Sequence, residues 1–516
     1  PAGPPPRHSL TLLNHFRPIQ IGSILGAHVK LSIAPDARLL EGLMQLSKAQ
    51  LPHFTARSTA NVLWGLARLR ASIPAGLREG LLRHATATMP LFKAMEISPF
   101  LVALALLQIQ PPAELVEALM HRIVETADTF KSQEVANTFW SLGSLQIQPP
   151  PEVYELLTRR LAMVIEGCDE QMISNTLHAF ANLKHYPDPE LQKAFLERMA
   201  AIQTTFTPQG ITISMWAIAS LDAELKEGMS WLLSAQAHRV IKNFTPLGVS
   251  MTMWAYGKME IHPGDRIIDA FVQHILGIVG EMRAQHCAMV MWGLARLDLR
   301  MDFELESAMT GRVLAILDQF SDLDVPNSLW ALAKMGLSDQ DEIVAALMQR
   351  IPDVAATLTV QGMTNTLWAL AKLDSDSQVL PALIDRLLEV DVKDFNGQAV
   401  ANALWALSNL HVEEGDAEER LKVKLIAGLR EKMDELTPQH IANSLWALSM
   451  LNVDPDDAIW RQLSNQIIAK IADFDSWSVA NTLNAFRILD VRPNETLMAA
   501  LDSAAHRIPK GGGRAK

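Results

Sequence analysis

Apolar residues recur along this chain in a helical pattern that is repeated many times. Around Trp140, apolar side chains stand five and one residues before the tryptophan and two and five residues after it, at Val135, Phe139, Leu142 and Leu145. This spacing places them on one face of a helix with 3.6 residues per turn. A proline-containing turn and a second amphipathic segment follow. Each unit is therefore predicted to be a pair of helices, here named helix A and helix B.

The tryptophan recurs at a fixed interval. Eight consecutive steps of 38 residues lead from Trp64 to Trp368, and twelve units follow one another in this way. With a degraded first copy, the unit centres lie near residues 26, 64, 102, 140, 178, 216, 254, 292, 330, 368, 405, 446 and 484. A period of this length indicates a solenoid. We predict an all-α protein: a right-handed α-solenoid (superhelix) of about 13 two-helix repeats over residues 15–508, with an N-terminal tail at 1–14 and a flexible basic tail at 509–516.

A helical wheel leaves four positions of helix A free of the apolar face: seven before, three before and four after the tryptophan, and the tryptophan position itself. We call these positions the stripe. The residues on both sides of the stripe are small, which suits close packing of neighbouring A helices. If helix A lines the concave side, as in most two-helix solenoids, the stripe is the inner wall. Its 48 positions hold six Lys or Arg and no Asp or Glu.

Charge changes the functional interpretation. The whole chain has 45 basic and 57 acidic residues and a net charge of −12, which by itself argues against a nucleic-acid partner. The stripe, however, is positive, and the rest of the chain is acidic. A wall of amides, indoles and cations suits single-stranded RNA, because cations attract phosphates, flat rings stack on bases and amides bind base edges.

Other features exclude several classes of protein. Cys168 and Cys287 are 119 residues apart without a CxxC motif, so we expect no disulfide framework, no metal site and no cofactor. The longest apolar run has eight residues, so we expect no membrane insertion. No nucleophile elbow, P-loop, HExxH or paired-carboxylate motif is present, so an enzyme is not expected.

The stripe supplies the candidate RNA-binding residues. They are Asn61, Trp64, Arg68, Asn137, Trp140, Asn175, Trp254, Lys258, Trp292, Arg296, Asn327, Trp330, Lys334, Asn365, Trp368, Lys372, Asn402, Trp405, Asn443 and Trp446. The position six residues before the tryptophan varies most, which makes Ser58, Glu134, Gly210, His286, Asp324 and His440 the candidates for base selection. The alternative is that the asparagines and tryptophans serve packing between repeats.

A second series of polar residues lies on helix B, twenty residues after the tryptophan. It consists of His84, Arg122, Arg160, Arg198, His274, Arg312 and Arg350. We expect these side chains to cap carbonyl groups or to pair with acids of the adjoining repeat rather than to bind phosphate. They are left out of the candidate site.

The repeat resembles that of the octotricopeptide repeat family. The resemblance rests on the 38-residue period, the core from Asn365 to Leu373, the segment from Phe206 to Gln209 and the Pro111-Pro112 turn, and it covers about residues 15–508. It implies a solenoid that binds organellar RNA at roughly one nucleotide per repeat. The implied roles are RNA stability, processing, translation or ribosome assembly in a mitochondrion or chloroplast. The implied partners are single-stranded RNA of about a dozen nucleotides or ribosomal RNA, together with ribonucleoprotein subunits.

The chain also departs from the family pattern. Val153 stands where the family signature has tryptophan, and the C-terminus carries no RAP domain. Ile213, Met251 and Met289 replace the stripe asparagine, which predicts weaker binding in the middle of the array. Two alternative functions remain open. One is an armadillo-like scaffold for a protein or peptide, and the other is a structural subunit of an organellar ribonucleoprotein.

Overall fold

The computed structural model describes residues 16–221, 226–375, 379–410, 415–453 and 456–507. Within these residues the chain forms 26 α-helices. In chain order they are α1 (Pro18–Leu31), α2 (Ala37–Gln50), α3 (Ala56–Arg68), α4 (Ala75–Thr88), α5 (Ala94–Leu106), α6 (Ala113–Thr126), α7 (Ser132–Ser144), α8 (Pro151–Val164), α9 (Glu170–Leu183), α10 (Pro189–Ala201), α11 (Pro208–Leu221), α12 (Lys226–Val240), α13 (Pro246–Met259), α14 (Asp265–Ile278), α15 (Ala284–Arg296), α16 (Phe303–Ala315), α17 (Asp324–Met335), α18 (Glu342–Val354), α19 (Val360–Lys372), α20 (Leu380–Glu389), α21 (Gly397–Leu407), α22 (Asp416–Glu431), α23 (Pro438–Met450), α24 (Asp457–Lys470), α25 (Ser476–Ile488) and α26 (Glu495–Arg507).

Odd-numbered helices are A helices, and each is followed by its even-numbered B helix. The prediction of an all-α solenoid built from paired helices is confirmed. The predicted tails, residues 1–14 and 509–516, lie outside the described residues. None of the described helices combines the length and the apolar character needed to cross a membrane.

Local sequence explains where the A helices begin. A three-residue 3₁₀ turn, Gln203–Thr205, follows α10, and the buried ring of Phe206 comes next. The hydroxyl oxygen of Thr207 then accepts the backbone N–H of Gly210 at 3.1 Å, which satisfies one of the free donors of the first turn. Pro208 occupies the first helical position, where its missing N–H costs no hydrogen bond.

The A helices end in a shared left-handed turn. In the repeat of Trp140, Gln146 has a φ of 56° and the N–H of Ile147 donates to the carbonyl of Leu142 at 3.0 Å, which is a Schellman motif. The equivalent residue lies six positions after each repeat centre. Among the described residues with positive φ at this position are Ser32, Arg70, Gln108, Gln146, Lys184, Glu260, Asp298, Gly336, Asp374, Asn452 and Asp490.

Small residues beside the stripe allow neighbouring A helices to approach closely. A Cβ atom built on Gly143 would lie 2.9 Å from Cα of Ala179, and one built on Gly257 would lie 2.9 Å from Cα of Gly293. The A helices pack against their neighbours more extensively than the B helices do, as expected for the inner layer of a solenoid. The predicted role of the small residues is confirmed.

The chain divides into two compact units. Unit 1 comprises Pro1–Gly248 and Ile261–Phe271, and unit 2 comprises Val249–Glu260 and Val272–Lys516. In unit 1, Phe139 packs edge-to-face against Phe180 with ring centroids 4.9 Å apart, and Phe180 packs in the same way against Phe195 at 6.1 Å. These buried rings join successive repeats into one core.

Candidate nucleic-acid interface

Five stripe tryptophans of unit 2 contact one another in a continuous series, here called the tryptophan column. The ring centroids are 6.1 Å apart for Trp254 and Trp292, 6.3 Å for Trp292 and Trp330, 5.9 Å for Trp330 and Trp368, and 5.6 Å for Trp368 and Trp405. Interplanar angles of 27–38° show that the rings overlap as tilted plates. Every member is half-buried, so part of each indole remains in contact with solvent.

Unit 1 has no comparable column because its stripe centres alternate in type. Val102 separates Trp64 from Trp140, and His178 separates Trp140 from Trp216. His178 and Trp216 contact each other with centroids 5.2 Å apart, and burial lowers the pKa of His178. The half-buried Trp64 and Trp140 make no ring-to-ring contact within the described residues.

Several stripe cations lie over the tryptophan of their own helix. Cζ of Arg68 is 5.7 Å from the ring centroid of Trp64, and Cζ of Arg296 is at the same distance from Trp292. Nζ of Lys334 is 5.5 Å from the ring centroid of Trp330. This geometry follows from the four-residue spacing, which places the two side chains on one helix face. Indole and cation thus form a combined surface.

Acidic residues beside the stripe pair with two of its cations. Arg296 forms an ion pair with Glu260, and Nζ of Lys334 lies 3.3 Å from a carboxylate oxygen of Asp298. Glu260 and Asp298 are the left-handed residues that end the A helix of the preceding repeat. Counting charges on the stripe alone missed these acids. Their signal in the sequence is the 36-residue spacing between acid and cation.

The other predicted cations are more open. Arg68, Lys258 and Lys372 are exposed, and none has an acidic partner within 4 Å among the residues that the structure describes. Positive charge that is free to meet a phosphate is therefore concentrated on these three side chains of the candidate set.

The stripe asparagines divide into two groups. Asn365, Asn402 and Asn443 are buried, with 7–8% of their surface exposed. Oδ1 of Asn365 accepts hydrogen bonds from Gln361 at 3.0 Å and from Asn402 in the next repeat at 3.4 Å, so these amides help to join adjacent repeats. The four remaining candidates are half-buried: Asn61, Asn137, Asn175 and Asn327.

The six residues considered for base selection all lie in the first turn of an A helix, where they take part in its capping. Glu134 accepts the backbone N–H of Lys131 at 2.6 Å, and Asp324 accepts that of Ser321 at 3.1 Å. Nδ1 of His286 and of His440 accept equivalent bonds from Arg283 and Thr437. Ser58 and Gly210 donate their N–H groups to the threonine hydroxyls that precede them. Capping explains the acceptor side chains at this position, and a role of these residues in base selection stays a prediction.

The helix B series caps carbonyl groups, as predicted. Nε of Arg122, Arg160, Arg198 and Arg312 donates to a carbonyl 30 residues earlier in the chain at 2.6–2.8 Å. His84 and Arg350 make the same contact at 2.9 and 3.4 Å. The accepting residue lies just before the A helix of the same repeat, so this contact ties the two helices of a repeat together.

Metal-binding chemistry finds no support in the described part of the chain. No group of three or more His, Cys, Asp or Glu side chains there is arranged to hold a metal ion. Burial raises the pKa of Cys168 to about 11 and that of Cys287 to about 12, which keeps both thiols protonated at neutral pH.

Three overlapping segments of the chain, residues 43–302, 223–378 and 264–415, match the family model described as RNA-editing substrate-binding complex 6 protein. Together they cover well over half of the chain. The chain belongs to this family. The overlap of the three matches reflects the repeat, because one family model fits the array in more than one register. No curated protein matches the chain.

The chain also aligns with solved structures of other proteins. A homology model of the full-length AP-3 complex in an intermediate open conformation aligns at 11% identity with a TM-score of 0.33, over 98% of this chain and 93% of that one. The karyopherin Kap121p bound to the SUMO protease Ulp1p aligns at 12% identity with a TM-score of 0.33, over 97% and 63%. An engineered protein aligns at 12% identity with a TM-score of 0.17, over 86% and 98%.

Proposed function

We propose that this protein is a non-catalytic RNA-binding subunit of an RNA-editing substrate-binding complex. Membership of the family supports an association with RNA and with partner proteins of that complex. We further propose a mitochondrial location, since the complex that gives the family its name is mitochondrial. On this view single-stranded RNA runs along the A helices, with protein partners on other surfaces.

The observation that carries the proposal is the placement of half-exposed indoles beside cations for which the described part of the chain provides no acidic partner within 4 Å. Trp368 and Lys372 lie one helical turn apart on α19, and Trp254 and Lys258 repeat the arrangement on α13. Nucleotide bases would contact the exposed parts of the indoles, where stacking contributes about 1–3 kcal/mol per base. The lysines would contact phosphates, and the stripe positions contain no acidic residues that would repel them.

The other candidate residues have graded roles in this proposal. Arg68, Trp64, Trp140 and the half-buried asparagines of unit 1 extend the contact surface. Asn365, Asn402 and Asn443 are buried, and the first two hold adjacent repeats together through a hydrogen bond between their side-chain amides. In its more specific form, the proposal is that each repeat binds one nucleotide, as in octotricopeptide proteins.

The test is filter binding of the full chain to a random pool of single-stranded RNA over a range of salt concentrations. We expect binding that weakens steeply with salt, with a slope set by the number of phosphates neutralised. Selection and sequencing of the bound RNA would show whether the repeats discriminate between bases. Absence of binding, or an affinity that is indifferent to salt, would overturn the proposal.

Tryptophan fluorescence gives an independent measurement on the same protein. Nine of the twelve tryptophans are repeat centres on the A helices, so bound bases should quench a large share of the emission. An unrelated anionic polymer without bases, such as heparin, is the control. Equal quenching by heparin would indicate that charge alone brings the ligand to the surface and that base stacking does not occur.

A further inference from the structure

The positive charge of the chain is concentrated at its N-terminal end. The first 93 residues contain 11 of the 45 basic residues and only three of the 57 acidic ones. Their net charge of +8 contrasts with −20 for the remainder, within a total of −12. Of the basic residues in this segment, the ten that the structure describes are all exposed, and none of their charged side-chain groups lies within 4 Å of a carboxylate oxygen among the described residues.

The few acids of this segment do not neutralise it. Asp36 accepts the backbone N–H of Arg38 at 2.9 Å and so caps α2, and Glu41 accepts the side-chain amide of Gln45 at 3.2 Å. The repulsion between so many unpaired cations opposes folding, and a polyanionic ligand would relieve it. The first 93 residues thus carry positive charge that their own acids leave unpaired, whereas two of the stripe cations are paired with acids.

Three of these exposed cations, together with the exposed Lys131 of the following repeat, follow the N-terminal edge of consecutive A helices. Arg17 directly precedes α1, Arg57 is the second residue of α3, and Lys93 and Lys131 directly precede α5 and α7. Neighbouring A helices pack roughly 8–10 Å apart, so the four cations form a line of similar spacing. We call this line the basic edge.

The basic edge belongs to the first four repeats. Arg17, Lys93 and Lys131 donate only their backbone N–H groups to local capping contacts, with Gln20, Glu96 and Glu134, and their side chains extend into solvent. In the fifth repeat the equivalent residue is Asp169, whose carboxylate caps α9. The sixth repeat has Thr207, a capping hydroxyl. In the second repeat this position is Thr55, and the cation Arg57 lies two residues further on. The cation is absent from the fifth and sixth repeats and recurs singly at Arg283 in the eighth.

We propose that the basic edge binds the sugar-phosphate backbone of RNA and anchors it to the first four repeats independently of base sequence. This inference rests on the proposed function, but Arg57 is the one stripe residue that it uses, and no stripe tryptophan or asparagine takes part. Charge complementarity favours RNA, because a line of exposed cations without paired acids matches the repeating phosphates of a nucleic-acid strand.

The test is a full-length variant that carries Arg17→Gln, Arg57→Gln, Lys93→Gln and Lys131→Gln. Loss of four phosphate contacts to a single strand should make the salt slope shallower by about three and should weaken binding at 0.1 M salt by roughly tenfold or more. The matched control carries Arg159→Gln, Arg386→Gln, Arg420→Gln and Arg461→Gln, four exposed cations on B helices that change the net charge equally. It should alter the affinity less than about twofold. Circular dichroism should show the helix content of the unmodified chain in both variants.

The outcomes separate the two proposals. If the unmodified chain binds RNA but the two variants bind alike, the basic edge is refuted and the stripe proposal stands. If the unmodified chain fails to bind RNA, both proposals fail. If the edge variant loses self-association in sedimentation while RNA binding is unchanged, the edge contacts the acidic repeats of a second copy, which also refutes RNA anchoring.

Discussion

Arg160 donates a hydrogen bond from Nε to the carbonyl oxygen of Phe130 at 2.7 Å, and this contact joins helix B of the repeat to the start of its helix A. The same relationship recurs with a separation of 30 residues through both units. In one repeat glutamine makes it, from Gln236 to Phe206 at 3.1 Å. In a later repeat the carbonyl of Leu436 is bound instead by Lys470, 34 residues further along the chain, at 2.6 Å. A helix B donor thus caps the carbonyl in each of these repeats, although its position on helix B varies.

Replacement of Arg160 should therefore weaken the repeat. We expect Arg160→Met to lower the free energy of unfolding by about 1.5–3 kcal/mol, because the carbonyl of Phe130 loses a charged donor. Urea denaturation followed by circular dichroism measures the change. The control is Arg159→Met on the neighbouring, exposed residue, where the loss should stay below about 0.5 kcal/mol. Equal effects of the two substitutions would contradict a capping role.

The left-handed turns that end the A helices carry a conformational cost where glycine is absent. Gln146 has a φ of 56°, which a side chain disfavours, so Gln146→Gly should raise the stability by about 0.5–1 kcal/mol. The reverse substitution is Gly336→Ala, at a φ of 87°, which should lower it by about 1 kcal/mol. If the two substitutions shift the melting temperature in opposite directions, the left-handed backbone conformation, and not a side-chain contact, determines the preference for glycine at this position.

Close packing of the A helices predicts a strong effect at Gly293. A Cβ atom there would lie 2.4 Å from the carbonyl oxygen of Met253, so Gly293→Ala should destabilise unit 2 by about 2–3 kcal/mol. Gly311 on α16 has open space around it, and Gly311→Ala should instead stabilise by about 0.5–1 kcal/mol through helix propensity. Denaturant titration gives the unfolding midpoint of each variant. If both midpoints shift in the same direction, the close packing at Gly293 does not determine the effect.

A half-buried histidine cap, His440, predicts a pH dependence of stability. Burial, aided by Lys470, lowers the pKa of His440 below its ordinary value of 6.5, and its neutral Nδ1 accepts the N–H of Thr437. The unfolded chain then binds more protons than the folded chain, so stability should fall as the pH drops below about 6.5. The slope of melting temperature against pH between 7 and 5 should be smaller in His440→Gln, whereas His506→Gln, on an exposed histidine of α26, should leave it unchanged.

The acids beside the stripe should limit RNA affinity if the proposed function holds. A double variant, Glu260→Gln with Asp298→Asn, removes the acidic charges paired with Arg296 and Lys334, so its RNA affinity should rise about fivefold and its salt slope should steepen by about one. The control is Asp353→Asn with Glu389→Gln, which removes two acids paired with B-helix arginines. RNA affinity is measured by filter binding. If the control variant gains as much affinity as the double variant, the effect is one of net charge and does not depend on these two ion pairs.

The sequence by itself determined the repeat, the two-helix unit and the small residues that let A helices pack closely. These features follow from local periodicity, since apolar spacing and side-chain volume act within a few residues and are copied in every unit. The carbonyl-capping role of the helix B series was also accessible, because its members recur at one position of the repeat. The sequence placed Trp254 and Trp292 on the same helix face for the same reason.

Only the tertiary structure decided which stripe residues remain available. Whether indoles contact one another depends on the separation of A helices, and whether Asn365 is buried depends on the rotation of each helix against the next. The pairing of Arg296 with Glu260 joins residues of different repeats through a left-handed turn whose conformation the residue type does not reveal, because glycine is absent there. Periodicity fixes which residues share a face, but distances between repeats fix which of those residues can still bind a ligand.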